Sequence, residues 1–501
     1  MANIKPKELN VINQARTLIS QNNPLAAKES LLAYITTSKL SPYGSYILCL
    51  SHALLGDFTQ SKAIALKLLK KDPLNIDYLK LLGSSYHELR DYNAASKTFT
   101  KAVAVNNRDI TALSNLAGAL KEEGKLEESE KYFLTSLNVQ RGQPAALTNY
   151  GLLKQLSGQL DEAIALHQEA LKYDNNNLVA LYNLAFALSE KGSLDTSLEF
   201  YKKLMQITPA NIRAICDVSQ IYIKQKKYDE ALQLLENAKS ITAEDEHIHL
   251  NMGVIYKLID QFENAETSLK EALRINPNNS TAQYYLSIVT GDTSVQSSPE
   301  DYVTDLFDGY AETFDEQLVG ELQYKTPTLI GELVNKHISA DNKYNILDLG
   351  CGTGLAGIHF TSVSEKMVGI DLSPKMLNKA KERNIYDELH AIDIEKYFNT
   401  HDFKPDIVIS ADVFVYIGDI DSIFSCVSSA TNKGGIFAFS TEDTTDTDSF
   451  LLKDSGRFAH SEAYITALAN KYNFSIAEQK STTIRHEAGK PIQGKIYILK
   501  N

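Results

Sequence analysis

The residues best suited to chemistry are glycines and acids that directly follow short apolar runs. The first run leads into Asp348-Leu349-Gly350-Cys351-Gly352-Thr353-Gly354, where glycines let the backbone approach a ligand at the start of a helix. A second run ends at Asp371, 21 residues after Gly350, and a third ends at Asp393. A carboxylate at such a strand end can accept hydrogen bonds from the sugar hydroxyls of a nucleoside. The spacing therefore indicates a site for a nucleoside-containing ligand.

These residues need a sheet whose strand ends meet at one edge. From Tyr344 onward, short apolar runs alternate with helical patterns, which is typical of a parallel sheet covered by helices. Seven strands are predicted, at 344–349, 367–371, 387–392, 406–411, 435–440, 474–483 and 492–500. Sheets of this kind bind ligands across adjacent strand ends. We therefore expect Gly350, Asp371 and Asp393 to border one cleft.

A nicotinamide cofactor is the main alternative ligand, because Gly352, Gly354 and Gly357 also have the spacing of a dinucleotide-binding loop. Asp371 follows Gly357 by only 14 residues, whereas the ribose-binding acid of that loop comes about 20 residues later. Asp348 also places a negative charge just before the loop, where it would repel a pyrophosphate. Both features favour a different nucleoside ligand.

With these motifs, residues 300–501 resemble the class I S-adenosylmethionine-dependent methyltransferases, an α/β Rossmann-like fold with a seven-stranded sheet. The resemblance implies S-adenosylmethionine as the cofactor. The glycines would pass beside its methionine part, Asp348 would lie near its amino group, and Asp371 would hold its ribose. Asp393 would bind the adenine amino group, with Ile394 beside the ring. The cofactor-binding residues implied in this way are Asp348, Gly350, Gly352, Gly354, Asp371, Asp393, Ile394, Ala411 and Tyr310.

The resemblance also implies the reaction, which is transfer of a methyl group to an oxygen, nitrogen or sulfur atom. Catalysis would come chiefly from proximity and orientation. Asp412 and Tyr416, after the fourth predicted strand, are the candidate catalytic residues and would orient the acceptor. Acids after the fifth strand could attract a cationic acceptor, although a solvated acidic loop is the simpler interpretation. These acids are Glu442, Asp443, Asp446 and Asp448.

The first 290 residues follow a repeat of 34 residues, in which small residues return at two positions. One series is Gly83, Ala117, Gly151, Ala185, Ser219 and Gly253, and the other is Ala95, Ser129, Ala163, Ser197, Ala231 and Ala265. This pattern resembles the tetratricopeptide repeat, a helix–turn–helix unit whose small residues let paired helices approach closely. We expect about eight repeats over 8–290, ending in a closing helix at 280–291.

The sixth position of successive repeats carries amide or acid side chains. They are Asn115, Asn149, Asn183, Asp217 and Asn251. In tetratricopeptide repeats this position faces the concave surface, and the series resembles the asparagine ladder of sugar-transferring enzymes that grip extended polypeptide. A side-chain amide both donates and accepts, so it can bind a peptide unit without reading its side chain. The expected partner is therefore a polypeptide, and amides that bond only within the array are the alternative.

A cap over the cofactor is expected between the repeats and the sheet. Residues 302–326 resemble the helical cap of predicted methyltransferases that also carry tetratricopeptide repeats. The residues that carry this likeness are Phe307, Tyr310, Phe314, Asp315 and Tyr324.

Composition and charge limit the remaining function classes. The chain has 501 residues, of which 43% are hydrophobic and 23% charged, so a disordered chain is excluded. The net charge of −13 lies in residues 291–501, which hold 32 acids and 19 bases, and neither part has the basic stripe that nucleic-acid binding requires. No apolar run reaches the length of about 20 residues that a membrane helix needs. Four scattered cysteines and the histidines lack metal-ligand spacing, so we expect a reduced, cytoplasmic protein without a metal.

The predicted architecture is multidomain, an all-α tetratricopeptide superhelix followed by the α/β methyltransferase domain. The expected bounds are 8–290 for the repeats, 291–299 for a linker and 300–501 for the catalytic domain. The predicted function is S-adenosylmethionine-dependent methyl transfer to a protein or small molecule, with the repeats recruiting a protein partner or substrate. The alternative is a protein-binding adaptor whose methyltransferase fold senses the cofactor.

Overall fold

The computed structural model describes residues 4–292, 294–311, 314–316, 325–487 and 490–501. It divides into two compact units, Met1–Ile221 and Tyr222–Asn501. The division falls within one helix of the repeat region, and Tyr324 of the expected cap lies outside the described residues.

The first unit consists of paired helices joined by short turns. Its helices are α1 Pro6–Ser20, α2 Pro24–Ile35, α3 Pro42–Leu54, α4 Phe58–Leu69, α5 Ile76–Glu88, α6 Tyr92–Val105, α7 Ile110–Glu122, α8 Leu126–Val139, α9 Pro144–Leu156, α10 Leu160–Tyr173, α11 Leu178–Glu190, α12 Leu194–Ile207 and most of α13 Ile212–Lys224. Their starts follow from the sequence, because the Asp91 and Asp109 side chains accept the backbone N–H groups of Ala94 and Ala112.

The 34-residue periodicity has a steric cause. A Cβ atom on Gly83 would lie 2.6 Å from the Phe99 ring, and one on Gly151 would lie 2.5 Å from the His167 ring. Each glycine is on the first helix of a pair and each ring is on the second. The small residue thus lets the two helices touch.

The second unit begins with further repeat helices and continues into an α/β domain. Its helices are α14 Tyr228–Ile241, α15 Glu246–Leu258, α16 Phe262–Ile275, α17 Ser280–Thr290, α18 Glu300–Tyr310, α19 Phe314–Glu316, α20 Thr326–Asn335, α21 Pro374–Glu382, α22 Ile394–Thr400, α23 Asp421–Ala430 and α24 Glu462–Lys471. The small-residue rule holds here too, since a Cβ on Gly253 would lie 2.6 Å from Leu269.

The α/β domain contains a mixed sheet of nine described strands. They are β1 Tyr344–Leu349, β2 Ser364–Asp371, β3 Glu388–Ala391, β4 Ile407–Ser410, β5 Ile436–Asp443, β6 Phe450–Leu452, β7 Phe458–His460, β8 Ser475–Glu487 and β9 Lys490–Lys500. The order β3-β2-β1-β4-β5 is parallel, and β9 continues it antiparallel to β5 and pairs with β8. The strands of the sequence analysis correspond to β1–β5, β8 and β9.

Two of the described strands were not predicted. β6 and β7 have three residues each and form an antiparallel pair, and β7 pairs with the last residues of β5. Strands this short carry too little alternation to be recognised in a sequence.

The sheet is buried on both faces, which explains its continuous apolar runs. Leu347, Val368 and Phe437 contribute to the core on one face, while their neighbours Ile346 and Met367 contribute to the core on the other. Successive side chains of a strand point to opposite faces. Helices on both sides therefore hold the strand ends of β1, β2 and β4 in fixed positions.

Candidate functional site

The loop after β1 has a backbone conformation that favours glycine. Gly350, Gly352 and Gly354 have φ angles of +65°, +54° and +90°, a region that other residues rarely adopt. A Cβ atom on Gly350 would also lie 2.3 Å from Cγ2 of Val413. The glycines thus allow the loop to turn sharply between β1 and the segment after β4.

Asp371, the last residue of β2, holds this loop in place. Its Oδ2 accepts the backbone N–H of Gly352 at 2.8 Å, and its Oδ1 accepts that of Ser373 at 2.8 Å. Burial raises the pKa of Asp371, and these backbone hydrogen bonds oppose the shift. Because each carboxylate oxygen can accept a second hydrogen bond, Asp371 keeps capacity for a ligand.

Asp348 lies behind the loop and is only 1% exposed. Its Oδ2 accepts the hydroxyl of Tyr386 at 2.7 Å, and its Oδ1 has no partner among the residues that the structure describes. Burial raises the pKa of Asp348 to about 7, and the charge of Asp371 acts in the same direction. Burial also raises the pKa of the Cys351 thiol, which disfavours the thiolate form that a nucleophile needs.

The ends of β3 and β4 supply the next residues. Asp393 is the N-cap of α22, where its Oδ1 accepts the backbone N–H of Lys396 at 3.0 Å, and Ile394 follows it. Ala411 and Asp412 follow β4, and Asp412 has a φ angle of +59°. This conformation is uncommon outside glycine and costs about 1–3 kcal/mol, so the surroundings must hold it.

A buried ion-pair network holds Asp412. Its Oδ1 accepts the hydroxyl of Ser440 at 3.1 Å, and its Oδ2 accepts Nη1 of Arg485 at 3.2 Å. The other terminal nitrogen of Arg485 donates to Glu442, which also accepts Nζ of Lys453 at 3.2 Å. Burial raises the pKa of Asp412, and the charge of Arg485 opposes the shift.

Sequence reasoning missed Arg485. The side chain is 4% exposed, although arginine is rarely buried without partners. Its partners Asp412 and Glu442 are 73 and 43 residues away in the chain. No local spacing marks such a contact, and the only signal is a basic residue in a strand next to buried Ile484. Glu442, weighed above as part of a solvated acidic loop, is 2% exposed and belongs to this network.

Aromatic side chains cover the loop from the α18 side. The Phe307 ring lies 5.4 Å from the Tyr416 ring and 5.9 Å from the Phe314 ring. α18 is held by Asp308, which accepts the Ser373 hydroxyl. Asp315 accepts the hydroxyl of Thr353 at 2.6 Å. The expected cap is therefore fixed to the glycine loop and to the start of α21 by polar contacts.

These elements surround a cleft of about 1030 Å³. Of the predicted cofactor-binding and catalytic residues, those that line it are Gly350, Gly352, Asp371, Asp393, Ile394, Ala411, Tyr310, Asp412 and Tyr416. Asp348 and Gly354 do not line it, and Gly354 faces Tyr386 and Arg383 instead. The cleft is also lined by Arg457 and Arg485, which no local sequence pattern indicates.

The amide series of the repeats is not uniform. Asn149 is exposed and Asn115 is half-buried, whereas Asn183 is 7% exposed and its Nδ2 has no partner in the described part of the chain. Asp217 accepts the hydroxyls of Tyr182 and Tyr201, at 2.5 and 2.9 Å.

In the second unit, the Nδ2 of Asn251 donates to the backbone oxygen of His247 at 2.8 Å. Within the described residues, no cluster of three or more histidine, cysteine or acidic side chains could hold a metal ion. No described helix is both long enough and apolar enough to cross a bilayer.

Comparison with known proteins identifies the parts of the chain. Residues 340–489 match the family described as a methyltransferase domain. Residues 340–489 are a methyltransferase domain. Tetratricopeptide repeat families match residues 77–109, 108–176, 190–255 and 246–279. The predicted families and fold class, a repeat array followed by an α/β methyltransferase domain, are therefore confirmed, and the enzyme class of the domain is methyltransferase.

Two curated relatives illustrate the likeness of the methyltransferase domain. The ubiquinone biosynthesis O-methyltransferase of Hydrogenovibrio crunogenus is 31% identical over 114 residues, which are 22% of this chain and 47% of that protein. The malonyl-[acyl-carrier protein] O-methyltransferase of Yersinia pestis is 29% identical over 135 residues, which are 27% and 48% of the two chains. This chain thus spans about half the length of the relatives that it matches.

Among solved structures, the Cut9–Hcn1 hetero-tetramer of the APC/C is similar at 16% identity and a TM-score of 0.42. The match covers 56% of this chain and 55% of the other.

Proposed function

We propose that this chain is an S-adenosylmethionine-dependent methyltransferase that acts on a protein or a small molecule, and that its repeats recruit a polypeptide. The observation that carries the proposal is the cleft of the methyltransferase domain. Gly352 and Asp371 border it at the ends of β1 and β2, and Asp412 and Tyr416 border it after β4. One cleft thus offers both a nucleoside-binding acid and a polar site for an acceptor.

The residues of the cleft fit the cofactor. A Cβ atom on Gly352 would approach only Phe314, at 3.9 Å, among the described residues. The backbone there borders open space that the methionine part of the cofactor would occupy. Asp371 would accept the ribose hydroxyls with its remaining lone pairs. Asp393 and Ile394 would bind the adenine, and Tyr310 would cover it.

The chain's own residues would position the acceptor. S-adenosylmethionine supplies an electrophilic methyl group with a good leaving group. Both carboxylate oxygens of Asp412 already accept hydrogen bonds, from Ser440 and Arg485. Asp412 is therefore better suited to orient a donor on the acceptor than to remove a proton. Tyr416, in contact with Phe307, would narrow the cleft around the methyl group and exclude water.

The first unit offers a place for polypeptide binding. Asn183 has a buried amide nitrogen without a described partner, and an unsatisfied buried donor costs about 1–3 kcal/mol. We propose that the Asn183 side chain turns outward when a polypeptide binds along α11, so that this nitrogen donates to a peptide carbonyl. The exposed Asn149 and half-buried Asn115 provide further donors on α9 and α7.

The remaining proposals concern organisation and location. We propose 8–290 for the repeats, 291–299 for the linker and 300–501 for the catalytic domain. Cys49, Cys351 and Cys426 form no disulfide among the described residues, which supports our proposal of a reducing compartment such as the cytoplasm.

The test is to incubate the full chain and a cell extract with S-adenosylmethionine that carries a labelled methyl group. We expect labelled protein or metabolite that is absent from reactions without the chain. Treatment with alkali then separates methyl esters, which release methanol, from N-methyl groups, which are stable. Cofactor binding in calorimetry without any labelled product would instead favour the adaptor with a cofactor-sensing fold. Absence of cofactor binding would overturn both functions.

A further inference from the structure

Tyr284 of α17, the helix that closes the repeats, contacts the methyltransferase domain through its hydroxyl. The side chain is 1% exposed and clusters with Ile288 and with Phe458 of β7. Its hydroxyl donates to the backbone oxygen of Gly456 and accepts the hydroxyl of Ser298 at 3.1 Å. One buried hydroxyl thus joins α17 to a segment 14 residues later and to a turn 172 residues later in the sequence.

The first of these segments is the turn between β6 and β7. The backbone oxygens of Lys453 and Arg457 accept N–H groups within this turn, at 2.8 Å each. A Cβ atom on Gly456, which has a φ angle of +77°, would lie 3.2 Å from both the Tyr284 hydroxyl and Cδ1 of Ile288. Gly456 and Arg457 line the cleft. The position of this cleft wall therefore depends on α17.

The second segment precedes α18 and contacts the loop after β4. The backbone N–H of Ser298 donates to the oxygen of Tyr416 at 2.8 Å. The oxygen of Gln296 accepts the N–H groups of Gly418 and Asp419, at 2.7 and 3.0 Å. Because Tyr416 is a candidate acceptor residue, this segment supports a second wall of the acceptor end.

The Tyr284 ring adds a third contact. It lies 5.1 Å from the ring of Tyr302, on α18. The same helix carries Phe307, whose ring contacts Tyr416. Contacts from one side chain therefore lead to the Gly456 turn and, by two routes, to Tyr416. Gly352 of the glycine loop is held instead by Asp371 of β2.

We propose that Tyr284 is a positioning residue for methyl transfer, through which the closing helix of the repeats sets the geometry of the acceptor end. The inference rests on the proposed function only in naming that end of the cleft as the acceptor site. The acceptor step then depends on α17 more strongly than cofactor binding does, because Asp371 of β2 holds the glycine loop directly. The 34-residue period predicts α17 only as the helix that ends the array, so it gives no indication of this role.

The test compares full-length Tyr284→Phe with full-length Tyr256→Phe, which removes a hydroxyl from α15. Loss of a hydrogen bond of about 0.5–1.5 kcal/mol corresponds to a roughly two- to tenfold change. We expect hydrogen exchange of the Gly456 and Gly418 amides to accelerate by that factor in Tyr284→Phe. Exchange of the Gly354 amide and the Kd for S-adenosylmethionine should stay within about twofold of the original chain. Transfer of labelled methyl groups to extract acceptors at saturating cofactor should fall by a similar factor.

Ser298→Ala is a second variant, because it removes the hydrogen bond to Tyr284 and leaves the backbone bond to Tyr416. It should accelerate exchange near Gly456 less than Tyr284→Phe does. Unchanged exchange at Gly456 and Gly418 in Tyr284→Phe would overturn the proposal. So would an equal acceleration across the central strands, or the same pattern in Tyr256→Phe. If the original chain transfers no label, the proposed function fails, and the exchange pattern still decides whether Tyr284 holds the two walls.

Discussion

Asp348, Asp371 and Asp412 are carboxyl groups at the ends of neighbouring strands, and their surroundings differ. Burial raises the pKa of Asp348 to about 7, and the hydrogen bond that it accepts from the Tyr386 hydroxyl opposes this shift. Asp371 accepts two backbone N–H groups, and Asp412 accepts an arginine and a serine. These partners favour the charged form of Asp371 and Asp412, whereas burial disfavours it. The three acids are therefore suited to different tasks.

The first prediction concerns Asp371→Ala. The variant loses the ribose acceptor, the hydrogen bond that fixes Gly352 of the glycine loop, and the hydrogen bond to Ser373 at the start of α21. A hydrogen bond from the ligand to a charged carboxylate contributes about 1.5–3 kcal/mol to binding. We therefore expect the affinity for S-adenosylmethionine, measured by calorimetry, to fall roughly 10- to 100-fold. Asp402→Ala, at an exposed acid, is the control and should bind normally. Equal affinity in the two variants would rule out the ribose role.

The second prediction concerns the pH dependence of stability and uses Asp348→Asn. Since burial raises the pKa of Asp348 to about 7, the folded chain keeps a proton that the unfolded chain loses above pH 4. The stability that the folded chain gains from this retained proton is complete at low pH and disappears as the pH rises toward 7. Asparagine can still accept the Tyr386 hydroxyl but does not titrate. Each pKa unit by which the folded and unfolded values of Asp348 differ changes the free energy of unfolding by about 1.4 kcal/mol.

We therefore expect Asp348→Asn to gain stability relative to the original chain between pH 5 and 7 and to keep that gain above pH 8. Urea unfolding across this range measures the difference. Tyr386, Cys351 and Asp371 face the same carboxyl group, but they are present in both chains. A difference that does not change with pH would contradict the raised pKa.

At the scale of helices, the repeats depend on contacts between a small residue and a large one 16 positions later. Gly83 contacts Phe99 and Gly253 contacts Leu269, but Gly151 contacts His167. His167 is completely buried, and neither ring nitrogen has a hydrogen-bond partner in the described ranges. The helix pair α9–α10 thus carries an unsatisfied polar ring where the pairs α5–α6 and α15–α16 carry an apolar side chain.

The third prediction is that His167→Leu stabilises the first unit. Burial lowers the pKa of His167 to about 4, so only the unfolded chain binds a proton as the pH falls below about 6.5. The original chain therefore loses stability between pH 6.5 and 4. Removal of the unsatisfied nitrogens should add about 1–3 kcal/mol at neutral pH, and more in acid.

Thermal unfolding at pH 7 and pH 5 tests this prediction, with His247→Leu at an exposed position as the control. The melting temperature of His167→Leu should be higher at both pH values, with the larger gain at pH 5. A lower melting temperature at pH 7 would show that the ring packs better than leucine despite its unsatisfied nitrogens.

The sequence predicted features whose cause is local in the chain. The 34-residue step placed the helix pairs, and the spacing of Gly350 and Asp371 placed the loop at the ends of β1 and β2. The sequence could not predict β6 and β7, because a strand of three residues shows no alternation of apolar and polar positions. It could not predict the contact of Arg485 with Asp412 either, because only the pairing of strands brings these two residues together. The sequence also predicted Asp348 as a cofactor-binding residue, whereas in the structure Asp348 is not among the residues that line the cleft.

At the scale of the whole molecule, the chain combines two kinds of surface. The methyltransferase domain contains a deep cleft with buried charges, and the net charge of −13 lies in the residues from 291 onward. The first unit is an array of helix pairs that exposes amide side chains. The cleft of the methyltransferase domain is lined by seven of the nine predicted cofactor-binding residues, all except Asp348 and Gly354. Because these residues come from the methyltransferase domain alone, we propose a separate role for the array, which is capture of a polypeptide.

The last prediction is that changing Asn115, Asn149 and Asn183 together to Ala weakens polypeptide capture without affecting the cofactor. Each hydrogen bond from an asparagine side chain to a peptide contributes about 0.5–1.5 kcal/mol to binding. If the three hydrogen bonds act independently, their loss lowers the affinity roughly 10- to 1000-fold. A bound segment also has a raised effective concentration near the cleft, so methyl transfer to it should fall as well.

Calorimetry with S-adenosylmethionine and capture of extract proteins on the immobilised chain measure the two effects separately. The matched control changes Asn107, Asn175 and Asn176 to Ala, because these asparagines are exposed in the turns of the same unit. The control should capture and methylate as the original chain does. If the ladder variant captures the same proteins equally well, the amides do not bind polypeptide. If it instead loses cofactor affinity, the substitutions have disturbed more than the array, and the recruiting role has no support from this test.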